Sequence, residues 1–302
     1  MAKLIWDAVG AKEFELGVDH GVLYPATNEG YDVGVPWNGL VSVTESPEGA
    51  EPTDLYADNI KYGVLISAET LKLTIEHYAT PVEFYPCDGL VVQDGVMITG
   101  QPRQSFGLVY RTKIGNDLTP ESGYKLHLVY GCKAGVAEKG YNTINDSPEA
   151  IVFSREVSTL PVVLEDGRIT AQLIIDSRTA DAAGLAALED LLFGTADSDP
   201  ELIDPDEVLR MVLLQAIVAP ATVSKETGNT PADTQQFTCK NKNNIDIPCT
   251  WSLEDGAKSS ISSDGLLTIA ADETVGDLTV TATPLDIHVA PETAVVTITA
   301  GT

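Results

Sequence analysis

Short runs of alternating apolar and polar residues, separated by turn chemistry, recur along most of this 302-residue chain. In "ETLKLTIEHY" (69–78), Leu71, Leu73 and Ile75 share one face while Lys72, Thr74 and Glu76 share the other. A period of two residues is what a half-buried β-strand produces. "GLVSVTES" (39–46) repeats the pattern, and "SFGLVYRTKIG" and "YKLHLVYGCKAG" do so on either side of the turn-rich "NDLTPESG". "AIVFSREVSTLPVVL" and "RITAQLIIDS" follow. Many short strands with few helices predict a mainly β protein, built as a sandwich or barrel.

One stretch breaks the rule. "TADAAGLAALEDLLFG" (179–194) places Leu185, Leu188 and Leu192 on one helical stripe, with Leu191 beside them. Thr179 is the expected cap, Asp181 the first-turn acid and Gly194 the stop. Burying four leucines contributes about 6–12 kcal/mol before entropy is counted, so this helix should lie against a sheet or a partner. The acidic segment after it holds Asp197, Asp199, Glu201, Asp204, Asp206 and Glu207 without the register, central glycine or flanking helix pair of an EF-hand.

"ESPEGAEPTDLYADNIKYG" (45–63) is polar and carries Pro47, Gly49 and Pro52. It reads as a long loop between two strands. Two readings stand: a mobile surface loop, or a segment that folds onto a neighbouring subunit.

The texture changes at 214. "QQFTCKN", "CTWSL", "SSISSDGLLTIAADE", "DLTVTAT" and "AVVTITA" are short strands at sandwich spacing, with Trp251 expected at the centre of a small core. The division is therefore 1–213 and 214–302. Asp264-Gly265 supplies a turn, after which Leu267 and Ile269 should point inward.

There are 45 acidic residues against 18 basic ones, a net charge of −27. That balance argues against gripping nucleic acid or an anionic membrane. No run of about 18 apolar residues is present, so no membrane insertion is expected. The opening "MAKLIWDAVGAKEFELG" lacks a signal-peptide core, which points to a chain made and kept in a cytoplasm or exported by a route needing no signal. Cys87, Cys132, Cys239 and Cys249 are then expected as reduced thiols, although Cys239 and Cys249 flank a turn and could pair under oxidant.

The four histidines, at 20, 77, 127 and 288, have no metal-ligand spacing, and no nucleophile elbow, phosphate loop or dinucleotide glycine pattern occurs. No catalytic residue, metal or cofactor is nominated.

Several of these segments together resemble a known family. "DLYADN" (54–59), "LVYRTKIGN", "YKLHLVYGCKAG" and above all "DSRTADAAGLAALEDLLFGTADSDPELIDPDEV" (176–208) resemble, in content and order, the major tail (tail tube) protein of long-tailed bacteriophages, the siphoviruses. The resemblance covers residues 18–213. Residues 214–302, with "TWSLED" followed by "SSISSDGLLTIAADET" and "LTVTATP", are similar to bacterial group-two immunoglobulin-like domains.

The resemblance implies a tail-tube-type β-sandwich or barrel with one packed α-helix, plus a C-terminal Ig-like β-sandwich. It implies a structural virion protein, assembled in the host cytoplasm, whose hexameric rings stack into the conduit for DNA ejection. Its partners would be copies of itself, other tail proteins, and double-stranded DNA passing without specific binding. The Ig-like domain would be an outward decoration, either shielding the tube or binding host-surface glycans. Glu45, Pro47, Glu48, Glu51, Asp54, Leu55, Tyr56 and Asp58 are the candidate contacts between subunits or rings. Two other readings remain open from the residues: a surface-binding adhesin whose Ig-like domain does the work, and an enzyme with an Ig-like accessory domain.

Overall fold

The computed structural model describes residues 4–49, 52–66, 69–144, 146, 149–213, 215–228, 232–241 and 244–300. Glu51, one of the candidate contacts, lies outside them. The chain is mainly β and forms two compact units, Met1–Val208 and Leu209–Thr302.

In the first unit the longer strands are β1 (Glu13–Pro25), β2 (Leu40–Glu48), β3 (Pro52–Ala57), β4 (Ile60–Ile66), β5 (Thr70–His77), β6 (Phe106–Asn116), β7 (Gly123–Ala134), β8 (Phe153–Thr159) and β9 (Gln172–Asp176). One antiparallel sheet runs β1–β6–β7–β8–β5–β2, with the short Val35–Pro36 strand beyond β1 and β9 beside β7. Among the described residues this sheet does not close into a barrel.

The long central strand β7 changes partners along its length. Lys125 to Val129 pair with β9, whereas Cys132 to Ala134 pair with β8. Gly131 makes the bend between them at φ 60°, and a Cβ there would sit 2.3 Å from the Leu160 carbonyl oxygen. No other residue fits that turn without moving Leu160.

Inward alternation builds one core from Leu23, Leu73, Ile75, Leu108, Val129 and Val157, closed by Trp37, Phe84 and Phe106. The helix α1 (Ala182–Phe193) buries Leu185, Leu188 and Leu192, while Leu191 is half-buried. Tyr24 donates its hydroxyl hydrogen to the Leu192 carbonyl, so the end of α1 is tied to β1.

The cap differs from expectation. Asp181, not Thr179, is the N-cap, its carboxylate accepting from the Gly184 amide at 2.9 Å. Thr179 is used one step earlier, in a turn where its amide donates to the Asp176 carbonyl. A second helix, α2 (Pro205–Val212), corrects the expectation of a single one. The division between units falls inside it.

The second unit contains β10 (Ala216–Ala219), β11 (Thr222–Glu226), β12 (Thr238–Asn241), β13 (Cys249–Leu253), β14 (Leu266–Thr268), β15 (Gly276–Pro284) and β16 (Glu292–Thr299). A four-stranded sheet runs β11–β16–β15–β13, with β11 and β16 parallel. Opposite lie the β10–β12 pair and a three-stranded sheet of Thr234–Gln236, β14 and Ser260–Ile261.

Leu267 and Ile269 are buried in the shared core. Its centre is Phe237, fully buried, rather than Trp251. Trp251 lies on the outermost strand of the four-stranded sheet and stays half-buried, tilted against Phe237 at 6.3 Å. Gly265, at φ 85°, makes room for it: a Cβ there would come within 2.9 Å of the indole.

Candidate assembly surface

The segment 45–63 is not a loop. Glu45, Pro47 and Glu48 belong to β2, opposite Leu73, Leu71 and Thr70 of β5. Beyond Gly49 the chain forms a separate hairpin, in which Pro52 to Ala57 pair with Ile60 to Ile66. Asp58 and Asn59 form its tip at φ 52° and 63°, the left-handed pair that a two-residue hairpin turn requires.

This hairpin pairs with no other strand among the described residues. Yet it exposes Leu55, Tyr56, Ile60, Tyr62, Val64 and Leu65, with Tyr56 71% and Tyr62 75% accessible. A lone two-stranded hairpin is marginal in water, and exposed apolar strands invite pairing with another chain. Asp54 contributes differently, through an ion pair with Lys61 at 2.6 Å across the two strands.

At the base of the hairpin, Glu45 anchors β2 to the central strands. Its Oε1 accepts from the Tyr110 hydroxyl and from Gln172 Nε2, the latter at 2.7 Å, and lies 3.2 Å from His127 Nδ1. The His127 ring stacks on Tyr110 with centroids 4.6 Å apart, and its Nε2 sits 3.1 Å from the Thr112 hydroxyl. A proton on Nδ1 lets the ring donate to Glu45. Hydrogen bonding to His127, partly opposed by burial and reinforced by Tyr110 and Gln172, pulls the Glu45 carboxyl down to about 2.

A second polar cluster lies under β5 and β8. The carboxylate of Asp88 meets Lys139 at 2.9 Å, Arg155 at 3.2 Å and Arg103 at 3.3 Å. Arg155 and Asp88 are both buried. Nearby His77 is fully buried between Trp37 and Phe153, and neither ring nitrogen forms a hydrogen bond of good geometry. Burial, with help from the Arg155 charge, pushes its pKa down to about 4.

Four basic side chains on or beside the central strands are paired with acids. Arg111 pairs with Asp19 at 2.9 Å, Lys113 with Glu121 at 2.7 Å, Lys125 with Glu15, and Arg178 with Glu13 at 2.7 Å and Asp176 at 2.8 Å. Each of these four cations is held by carboxylates, which reduces the positive potential they offer a phosphate backbone.

The acidic segment after α1 does have a helix on each side, contrary to the sequence reading. No group of three or more His, Cys, Asp or Glu side chains among the described residues is placed to hold a metal ion. No helix among them is long and apolar enough to cross a membrane. The Glu45–Tyr110–His127–Gln172 network had no local signal, since its members are far apart in sequence and meet only through folding.

Compared with known proteins, the chain matches no family model and no curated protein.

Proposed function

We propose that the chain is a structural virion protein, the tail tube subunit of a long-tailed bacteriophage, and that copies of it join into stacked rings. The observation that carries the reading is the hairpin β3–β4, two strands of exposed apolar side chains with no core of their own. A second copy is the partner that would bury them, because closing subunits into rings removes open strand edges from solution.

Two further features support it. The segments that resemble the tail tube family span most of the first unit. The overall acidity, with Arg111, Lys113, Lys125 and Arg178 neutralised by carboxylates, favours a conduit along which DNA slides without adhering. The second unit is read as the Ig-like decoration, facing host-surface glycans or shielding the tube, on a protein located in the virion tail.

The test is the double variant Tyr56→Ser with Tyr62→Ser. Both side chains are exposed, so the fold should survive with an unchanged circular dichroism spectrum. Sedimentation should then show the higher-order species of the wild-type chain lost in the variant. Equal assembly of the two proteins would sink the role given to the hairpin.

A further inference from the structure

Two thiols of the second unit stand together without a bond between them. Cys239 on β12 is buried, and Cys249 at the start of β13 is half-buried. Between them the chain doubles back. The Ile247 amide donates to the Cys239 carbonyl at 2.9 Å, Lys240 bridges Asp246 in antiparallel register, and the Asn241 amide donates to the Ile245 carbonyl. Both side chains turn into the same core, and the two thiols share a hydrogen-bond contact.

β12 and β13 belong to different sheets. The 239–249 segment carries the chain from one sheet to the other, and a bond at its base would tie the two together.

We propose that Cys239 and Cys249 are a redox modification site, closing to an intramolecular disulfide when the chain meets a small-molecule disulfide oxidant such as oxidised glutathione.

The chemistry follows from which sulfur is reachable. Cys249, the more accessible thiol, loses its proton to solvent and attacks one sulfur of the oxidant. That forms a mixed disulfide and expels one small thiolate. Cys239, already in contact, then loses its proton and attacks the Cys249 sulfur, expelling the second thiolate. Two protein thiols are oxidised and one small disulfide is reduced to two thiols. Burial and the neighbouring Cys249 raise the Cys239 pKa to about 11, so the resolving step is slow at neutral pH and faster in mild alkali. Cys87 and Cys132 are fully buried in the other unit, where solvent oxidant does not reach.

The experiment treats the intact full-length chain with oxidised glutathione at pH 8, followed by alkylation and peptide mapping without reduction. The expected product is a cross-linked peptide joining Cys239 to Cys249, with Cys87 and Cys132 still alkylated only after denaturation. Closing the 239–249 loop should raise the thermal midpoint by roughly 10 °C. The variant Cys239→Ser, a near-isosteric change, should instead stop at a stable glutathione adduct on Cys249. Overturning results are a wild-type chain that retains that adduct unresolved, four alkylatable thiols after oxidation, or a cross-link confined to Cys87 and Cys132.

Discussion

Glu45 and His127 meet across the first unit with 3.2 Å between Oε1 and Nδ1, joining the strand that leads into the exposed hairpin to the middle of the main sheet. The same carboxylate accepts from Tyr110 and Gln172, so one side chain gathers three strands. This contact holds the strand that leads toward the hairpin.

Replacing Glu45 with Ala should therefore leave the buried Tyr110 hydroxyl without its acceptor, at a cost of about 1–3 kcal/mol. Denaturant titration reads that loss. Hydrogen exchange should also show faster opening of β2 than in the parent. Unchanged exchange across β2 would mean that strand pairing with β5 alone holds it. The Glu45 carboxyl titrates lower in the fold than in the unfolded chain. Its contribution is therefore full above pH 4.5 and lost as pH falls toward 2.

His77 gives a pH dependence of the same sign at higher pH. Its folded pKa, about 4, lies below the usual 6.5, so the unfolded chain takes up the proton first. Stability should be unaffected above pH 6.5 and fall progressively between 6.5 and 4, by about 3 kcal/mol in all. The variant His77→Leu, which removes two buried nitrogens lacking good partners, should flatten that part of the pH profile. A His77→Leu profile that keeps the full wild-type slope would assign the acid sensitivity elsewhere.

The helix α1 offers a graded series. Leu188→Ala should cost about 3–5 kcal/mol, because Leu188 is fully buried and the cavity remains. Leu191→Ala, at a half-buried position, should cost roughly 1–2 kcal/mol. Asp181→Ala should cost about 1 kcal/mol by removing the cap, and Thr179→Ala should cost less. Equal effects at 179 and 181 would contradict the cap geometry.

Gly131→Ala should be among the most damaging single changes outside the apolar core. The new methyl would meet the Leu160 carbonyl at 2.3 Å and at a positive φ, forcing β7 and Leu160 apart. Thermal unfolding followed by circular dichroism measures it.

Much of this architecture was legible because β5 and β8 bury one face, while β6 and β7 carry apolar runs buried on both. The alternation of Leu73 and Ile75 against Lys72 and Thr74 marked β5 directly, and four leucines on one stripe marked α1. The hairpin β3–β4 was missed because neither face packs on a core, so Thr53, Asp54, Leu55 and Tyr56 carry no alternation. Its local signs are the turn pair Asp58-Asn59 and the short alternation of Ile60, Tyr62 and Val64. The short α2 had Pro205 at its first position, acids in its first turn and Arg210 in its last, signals outweighed by its acidic surroundings. The Glu45 and Asp88 clusters depend on strand order and could not be read from spacing.

We propose that copies of this chain join into rings. Negative-stain electron microscopy of the purified full-length chain at rising concentration tests it most directly. Self-assembly should give rings or short tubes that become more numerous with concentration. A chain that stays monomeric up to its solubility limit would contradict it.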